Sequence, residues 1–302
     1  MQLRKLHDLF DIARDKKQKR KLVLAAAEDD YSLKAIAELN KLGLVDPVLI
    51  GNTQKIKQVI EEEKIVLKDY EIYSASDDKD AAKMSVEFIK TGKADILMKG
   101  LLSTRTFLKE ILNKSTGITT QGYYSHVGLF ESSFYPKLFG VSDAAINIAP
   151  DIHIKKQIIV NAVDSFHRLG IENPKVALLA AIEKINPNMQ ATVDAAELTK
   201  MHAKNPIAEC IIEGPLALDL AVSIAAAEHK GVESQIAGDT DILIVPEITT
   251  GNVLYKSLTY LGGATAAGVL TGTEVPVVIA SRSDSEESKI YSIALAHCLC
   301  NC

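Results

Sequence analysis

The amino-acid sequence predicts an α/β protein whose sheets are largely parallel. Short apolar runs rich in Val, Ile, Leu and Ala recur along the 302-residue chain. These runs are continuous rather than alternating, as in strands that are buried on both faces. Longer amphipathic segments lie between most of them, as helices do between parallel strands. The length favours either one large α/β body or two lobes of about 150 residues each.

The predicted strands and helices alternate in chain order. The strands share a continuous apolar run and cover residues 22–27, 48–51, 96–99, 123–130, 176–181, 210–212, 242–245 and 277–280. The helices are amphipathic and cover residues 32–42, 81–91, 104–112, 152–169, 191–203, 218–229, 252–267 and 285–296. Residues 123–150 break this rhythm, so we expect the chain to cross into a second lobe there.

Composition and charge limit the classes of function. Apolar residues make up 47% of the chain and charged residues 24%, which is typical of a globular protein rather than a disordered one. The formal net charge of −5 comes from interspersed acidic and basic residues, so we expect no nucleic-acid partner. The basic run 16–21 is interpreted as a solvated helix end.

The N-terminal segment and the cysteines indicate a cellular compartment. The first 21 residues lack a continuous apolar segment, and no stretch of 18 uncharged apolar residues occurs. We therefore expect a cytoplasmic protein with no membrane partner. Cys210, Cys298, Cys300 and Cys302 are too few and too clustered for an extracellular disulfide framework. The C-x-C-x-C ending is interpreted as a frayed helical terminus with free thiols rather than as a metal site.

The loop after the predicted strand 277–280 is the most informative one. Ligands of open α/β sheets bind outside the carboxyl ends of the strands, and this loop contains Ser281, Arg282 and Ser283. Arg282 would add a guanidinium fork to the donors of a helix N-terminus, which suits phosphate or a developing oxyanion. Because an arginine there opposes the helix dipole, a functional role is favoured. Ser283 and Glu286 have the spacing of a capping box.

Two other predicted loops offer candidate substrate-binding residues. These residues share a position between a strand and the next helix, and they are Lys99, Gly100, Ser103, Thr104, Gly251 and Asn252. Lys99 and Ser103 would form a second anion site, although Ser103 is equally a natural helix N-cap. The structural interpretation of Gly251 is a turn that leads into a helix, with glycine chosen for backbone freedom.

Several familiar motifs do not occur in the sequence. There is no G-x-G-x-x-G dinucleotide fingerprint and no G-x-x-x-x-G-K-[ST] P-loop. There is also no G-x-S-x-G elbow and no H-E-x-x-H zinc motif. Nicotinamide, ATP and zinc mechanisms are therefore disfavoured.

Six blocks of sequence carry a family resemblance. They include ILMKGLLSTRTFLKEILN at 96–113, SDAAINIAP at 142–150, EGPLALD at 213–219 and PVVIASRSDSEESK at 276–289, with longer blocks at 174–201 and 237–260. In this order they resemble the phosphate acetyltransferase and phosphate butyryltransferase family, and the butyryltransferase branch most closely. The blocks span the last two-thirds of the chain, which makes the combination specific. The first 90 residues add only a compatible α/β pattern.

The resemblance implies a two-domain fold like that of isocitrate and isopropylmalate dehydrogenases, with an interdomain cleft. The first domain would contain residues 1–126 and 272–302, and the second would contain residues 127–271. The family also implies a homo-oligomer, no metal in the chemistry, no tightly bound cofactor and no covalent enzyme intermediate. Coenzyme A and acyl-CoA would be substrates, together with phosphate.

The implied reaction is butanoyl-CoA plus phosphate giving butanoyl phosphate plus CoA, in both directions. Arg282 would stabilise negative charge on the phosphate or the oxyanion, and Ser281 would contact substrate beside it. In the acetyltransferases the aspartate regarded as the thiol base lies six positions beyond this arginine, where this chain has Ser288. The base is therefore open between Glu287, ranked slightly higher, and Asp284.

Three alternatives compete with this interpretation. A phosphate acetyltransferase would differ only in the volume of the acyl pocket, where one methylene group is worth about 1–3 kcal/mol of discrimination. A metal- and NAD-dependent dehydrogenase of the same fold would need a carboxylate cluster and a nicotinamide site. A non-catalytic protein would bind acyl-CoA or phosphate without turnover.

Overall fold

The structure of the protein is a computed structural model that describes residues 3–119, 123–280 and 284–301. The chain forms two compact units. The terminal unit contains His7–Gly122 and Ala267–Cys302, and the central unit contains Met1–Leu6 and Tyr123–Ala266. Each unit combines helices with a mostly parallel arrangement of strands, which confirms the predicted α/β class.

The terminal unit alternates strands with helices. Its elements are α1 (Asp8–Asp15), β1 (Arg20–Ala25), α2 (Asp30–Lys41), β2 (Val45–Gly51), α3 (Thr53–Glu62), β3 (Glu71–Ser74), α4 (Asp78–Lys90), β4 (Ile96–Lys99) and α5 (Thr104–Ile111). The chain enters the unit again for β10 (Thr265–Thr271), most of which lies in this unit, β11 (Val277–Val278) and α11 (Glu286–Leu299). The strands lie in the order β3, β2, β1, β4, β11 and β10, and every neighbouring pair is parallel except β11–β10.

Burial explains why β1 was recognisable from sequence. Leu22, Val23, Leu24 and Ala25 are fully buried, because helices cover both faces of a parallel sheet. The last helix, α11, contacts α1 and α2 and buries most of its own surface. The carboxyl ends of β1 and β4 therefore lie next to each other at one edge of the sheet.

Among the described residues, five strands lie wholly within the central unit. Its elements are β5 (Ser125–Glu131), β6 (Phe139–Ser142), α6 (Ile152–Arg168), β7 (Lys175–Leu179), α7 (Gln190–Lys204), β8 (Ile211–Leu216), α8 (Leu218–Val222), α9 (Ile224–Lys230), β9 (Ile242–Ile244), α10 (Ile248–Lys256) and a π-helical turn (Ser257–Leu261). The strand order is β5, β6, β9, β7 and β8. Only the β5–β6 pair is antiparallel among these described strands.

Aromatic packing holds α10 against the antiparallel pair. The rings of Phe130 on β5 and Phe139 on β6 stack with centroids 5.5 Å apart. Tyr255 of α10 meets Phe130 edge to face at 4.9 Å, a geometry that aromatic quadrupoles favour. The chain that leaves β9 therefore runs back over β5 and β6.

Some predicted elements are wrong. The helix expected over 252–267 ends in the π-helical turn, and Thr265–Thr271 forms strand β10, which pairs antiparallel with β11. Gly263 has a positive φ of 64°, which ends the helix. The helix expected over 218–229 is divided at Ser223, whose side chain caps α9. The sequence interpretation also missed α1, α3, β3 and β6, which are short or weakly apolar.

The interpretations of the C-terminal cysteines and of the 16–21 run are correct only in part. Cys298 and Cys300 are free thiols, but they are buried rather than on a frayed terminus, and burial raises the pKa of the Cys298 thiol to about 12. Cys302 lies outside the described residues. The 16–21 run is not merely solvated, because Lys16 Nζ donates to the carbonyls of Cys298 and Cys300 at 2.6 and 3.2 Å. The cation thus satisfies carbonyls at the C-terminus of α11.

Two kinds of feature are absent from the described residues. No helix within residues 3–119, 123–280 and 284–301 is long and apolar enough to cross a membrane. The same part of the chain contains no cluster of three or more His, Cys, Asp or Glu side chains arranged to hold a metal ion.

Candidate functional site

The loop after β4 brings four predicted substrate-binding residues into one turn. Lys99 is buried, and its Nζ donates to the carbonyls of Gly100 at 3.1 Å and Leu102 at 3.3 Å. Ser103 Oγ caps α5 by accepting from the Thr106 amide at 3.0 Å. Thr104 is the first residue of α5 and is exposed. These contacts hold the turn closed, so the substrate-binding role of the four residues stays a prediction.

Steric crowding explains why residue 100 is a glycine. Its amide donates to the Ala25 carbonyl at 2.8 Å, which joins the loop to the end of β1. A Cβ atom at Gly100 would lie 2.2 Å from the Ala26 carbonyl oxygen. Glycine is therefore required by the close approach of two strand ends at the edge where ligands of α/β sheets bind.

The N-cap of α11 differs from the one predicted from the sequence. Ser281, Arg282 and Ser283 lie outside the described residues, so the structure gives no geometry for the predicted centre of the site. The N-cap of α11 is Ser285, whose Oγ accepts from the Ser288 amide at 3.1 Å. Glu286 is the first residue of the helix, so its pairing with Ser283 as a capping box is wrong.

The two candidate bases differ in exposure. Glu287 is exposed on the first turn of α11, whereas Asp284 is half-buried just before the N-cap. Sequence reasoning missed Lys289, which is buried on the same turn with its Nζ 3.8 Å from Asp29 Oδ2. Helical periodicity does not mark this lysine, because α11 is buried continuously from Ser292 to Leu299 rather than on one face.

In the central unit, Asp143 organises the loop after β6. Its buried carboxylate accepts from the amides of Ala145, Ile146 and Asn147 at 2.9, 3.1 and 3.0 Å. It also accepts from Asn147 Nδ2 at 2.6 Å, and that side chain donates in turn to the Tyr124 carbonyl. The hydrogen bonds fix the loop directly outside the carboxyl end of β6.

Gly251 and Asn252 pack against this loop from α10. Both residues are helical, so the predicted turn before the helix is wrong and glycine is not needed for backbone freedom. A Cβ atom at Gly251 would lie 2.5 Å from the Asp143 carbonyl oxygen. Asn252 Nδ2 donates to the Ala144 carbonyl at 3.3 Å. The two residues let α10 and the loop approach each other, and their substrate-binding role stays a prediction.

Glu247 caps α10 with an ionised carboxylate. It accepts from the amides of Thr249 and Thr250, each at 2.7 Å. Burial acts to raise the pKa of Glu247, but hydrogen bonds from Thr250 and Thr249 outweigh it and lower that pKa to about 2. A fixed negative charge therefore stands at the carboxyl end of β9.

A groove of about 860 Å³ lies in the central unit beside Glu247. It runs between the loop after β6, the N-terminal halves of α6 and α7, and the loop after β9. Lys155 and Asp194 form a buried ion pair in its lining, with Nζ 2.6 Å from Oδ2. Gln190 Nε2 donates to the other carboxylate oxygen at 2.7 Å. Sequence reasoning missed this groove, because the paired residues are 39 positions apart and match no local motif.

The family model described as "Phosphate acetyl/butaryl transferase" matches residues 6–89 and 77–297. The chain belongs to this family. It is 44% identical over 280 residues to phosphate butyryltransferase from Clostridium acetobutylicum, with 93% of each chain covered. It is 39% identical over 291 residues to phosphate acetyltransferase from Thermotoga maritima, which covers 96% of this chain and 98% of the relative.

A solved structure supports the same family membership. The branched-chain phosphotransacylase from Enterococcus faecalis V583 is 35% identical to this chain and superposes with a TM-score of 0.82. The match covers 93% of this chain and 98% of the other. The resemblance to this family that the sequence blocks indicated is therefore confirmed, and the similarity extends into the first 90 residues.

Proposed function

We propose that this protein is an acyltransferase that moves a short acyl group reversibly between coenzyme A and inorganic phosphate. The preferred reaction is butanoyl-CoA plus phosphate giving butanoyl phosphate plus CoA. One observation carries this proposal: the family match spans nearly the whole chain, and a phosphate butyryltransferase is 44% identical over 93% of it. CoA is then a substrate, and no tightly bound cofactor is required.

The proposed chemistry is a direct transfer between two bound substrates. Towards acyl phosphate, a phosphate oxygen attacks the thioester carbonyl, and the tetrahedral intermediate expels the CoA thiolate, which takes up a proton. In the reverse direction a base removes the thiol proton, the thiolate attacks the acyl phosphate carbonyl, and phosphate leaves. Holding the two substrates together supplies much of the rate.

Our proposed site residues follow the sequence motif after β11. Arg282 stabilises negative charge on the phosphate or on the tetrahedral oxyanion, and Ser281 contacts substrate beside it. Glu287, on the exposed side of the first turn of α11, is the first choice for the base, with Asp284 second. Lys99 and Gly100 are proposed to contribute substrate contacts, because they stand at the strand edge where ligands of α/β sheets bind.

We extend the proposal to the domain arrangement, the oligomeric state and the cellular location. We propose two domains, residues 1–126 with 272–302 and residues 127–271, arranged as in isocitrate and isopropylmalate dehydrogenases with the site in the interdomain cleft. We also propose a homo-oligomer that acts in the cytoplasm. Small-angle scattering and sedimentation of the purified protein measure the arrangement and the number of copies.

A second function has a specific observation in its favour. A phosphate acetyltransferase is 39% identical over 96% of this chain, so acetyl-CoA is the competing substrate. Release of free thiol from acetyl-, butyryl- and branched-chain acyl-CoA, each with and without phosphate, compares the two. We expect the highest kcat/KM for butyryl-CoA, and an equal or higher value for acetyl-CoA would contradict the butyryl assignment.

Arg282→Ala tests the proposed centre of the site. We expect kcat to fall on the order of 100-fold or more with folding unchanged, the scale of losing one preorganised oxyanion contact. A loss below threefold would remove Arg282 from the mechanism. Asp284→Asn, Glu287→Gln and Ser288→Ala, compared in one series, identify the base by the largest loss of kcat.

A further inference from the structure

The groove of the central unit lies at a reversal of chain direction in the sheet. Strands β7 and β9 are parallel neighbours, but the chain leaves β7 through α7 towards β8. From β9 it leaves the opposite way, through α10, whose Tyr255 packs on β5. In open α/β sheets such a switch point opens a crevice outside the carboxyl ends of the two strands, where ligands bind.

The walls of the groove are mainly aliphatic. They include Pro150, Ile152, Ile185, Ala191, Val193 and Ala196. Ile185 follows β7 and is 63% exposed, which is a large exposure for an aliphatic side chain that cannot hydrogen-bond to water. The volume of about 860 Å³ is within the range of small-molecule sites, about 300–1,000 Å³. The shape and the apolar walls therefore suit a slender, partly aliphatic ligand.

The charges in the lining disfavour binding of a phosphate group in the groove. Four carboxylates, from Asp151, Asp194, Glu197 and Glu247, face two ammonium groups, from Lys155 and Lys200. Lys155 is already paired with Asp194 at 2.6 Å, so its charge is largely neutralised. The formal balance of −2 repels phosphates and diphosphates. Asp194 and Glu247 already accept hydrogen bonds on both carboxylate oxygens. Asp151 accepts from the Ile154 amide on Oδ1, so its Oδ2 and the carboxylate of Glu197 are the acceptors for amide N–H groups of a ligand.

We infer that this groove binds the acyl-pantetheine arm of acyl-CoA and leaves the nucleotide phosphates outside. The arm is uncharged, its gem-dimethyl and acyl carbons match the aliphatic walls, and its two amides match the acceptors of the lining. Binding energy from this part of the substrate, remote from the phosphates, then positions the thioester. The inference rests on the proposed function, because it takes acyl-CoA as the substrate.

A groove-filling variant tests the inference by kinetics. Ala196→Phe places a ring in the groove, whereas Ala203→Phe places one on an exposed part of the same helix, α7. We expect Ala196→Phe to raise the KM for butyryl-CoA and for S-butyryl-pantetheine by the same factor, about tenfold or more, the discrimination of one or two methylene groups. The KM for phosphate should stay within twofold, and Ala203→Phe should change neither KM.

Alkylation tests the same groove without requiring turnover. Ala196→Cys should react with N-ethylmaleimide, and S-butyryl-pantetheine should slow that reaction at least fivefold while phosphate alone does not. Ala203→Cys is the matched control and should not be protected. Cys210, Cys298 and Cys300 are buried, and the unmodified protein gives the background rate. If Ala196→Phe does not fold, this alkylation experiment still tests whether the groove binds the acyl-pantetheine arm.

Each outcome has a defined meaning. Unchanged KM values for both thioesters in a folded Ala196→Phe protein, or no protection of Ala196→Cys, would overturn the inference. It would also be overturned if Ala196→Phe changed only the sedimentation mass, since the groove would then be a contact between copies of the chain. If the wild-type protein fails to release CoA in the presence of phosphate, the proposed function fails, while protection by S-butyryl-pantetheine still measures binding in the groove.

Discussion

Breaking the buried Lys155–Asp194 pair should cost the protein a large part of its stability. The side chains are only 8% and 14% exposed, and Nζ lies 2.6 Å from Oδ2. At an effective dielectric constant of about 20, their attraction is about 6 kcal/mol before desolvation is subtracted. Asp194→Ala leaves the ammonium buried without its partner, so we expect a loss of about 3–5 kcal/mol in the free energy of unfolding.

Urea unfolding followed by circular dichroism gives this free energy. The double variant Lys155→Met/Asp194→Leu removes both charges and should recover most of the loss, because an apolar pair of similar volume replaces a buried ion pair at little cost. Asp164→Ala is the matched control, since Asp164 pairs with Arg168 on the same helix but is 57% exposed. We expect that control to cost under about 1 kcal/mol. If Asp194→Ala costs no more than Asp164→Ala, the reasoning about this pair is refuted.

Three further predictions address other parts of the fold. Gly251→Ala should lower the free energy of unfolding in urea by about 1–2 kcal/mol despite the gain in helix propensity, because its Cβ would lie 2.5 Å from the Asp143 carbonyl oxygen. Val253→Ala is the control, since Val253 is exposed on the same helix, and it should change little. Equal effects of the two variants would contradict the steric explanation. Lys16→Met removes the ammonium that caps the last turn of α11 and should cost about 1–2 kcal/mol by the same measurement, whereas an unchanged midpoint would show that the cap is not stabilising. Burial lowers the pKa of His297, so the stability that its neutral ring contributes is fully present above pH about 6.5 and declines as the pH falls towards the lowered pKa. His297→Gln should therefore reduce the change in urea midpoint between pH 7 and pH 5.5. An unaltered change of midpoint with pH would contradict this.

Local sequence patterns predicted the parts of the fold that local physics determines. The apolar runs of β1 and β4 are buried on both faces, which is why continuous hydrophobicity identified them. The first residues of β10, 265–267, were misassigned to a helix because alanine and glycine carry little periodic information, and tertiary packing made them part of a strand. Family resemblance, which depends on ordered motifs rather than on periodicity, predicted the family correctly.

Long-range contacts account for what the sequence could not predict. Lys16 lies 282 residues before the Cys298 carbonyl that it contacts, so no local pattern identifies it as a helix cap. Gly251 looked like a turn residue, but its reason is the carbonyl of Asp143, contributed by a different loop. The groove depends on α6 and α7 lying side by side, which follows from strand order rather than from any motif.

Counting both products in one reaction tests the central claim most directly. Purified protein is incubated with butyryl-CoA and phosphate, and free CoA is measured by its thiol while acyl phosphate is measured by conversion to the hydroxamate. We predict equal amounts of CoA and butanoyl phosphate, none of either without phosphate, and return to butyryl-CoA when the two products are supplied instead. Thiol release without acyl phosphate would show hydrolysis, and no release of thiol from butyryl- or acetyl-CoA would show that the protein binds without turnover; either result contradicts the proposed acyl transfer.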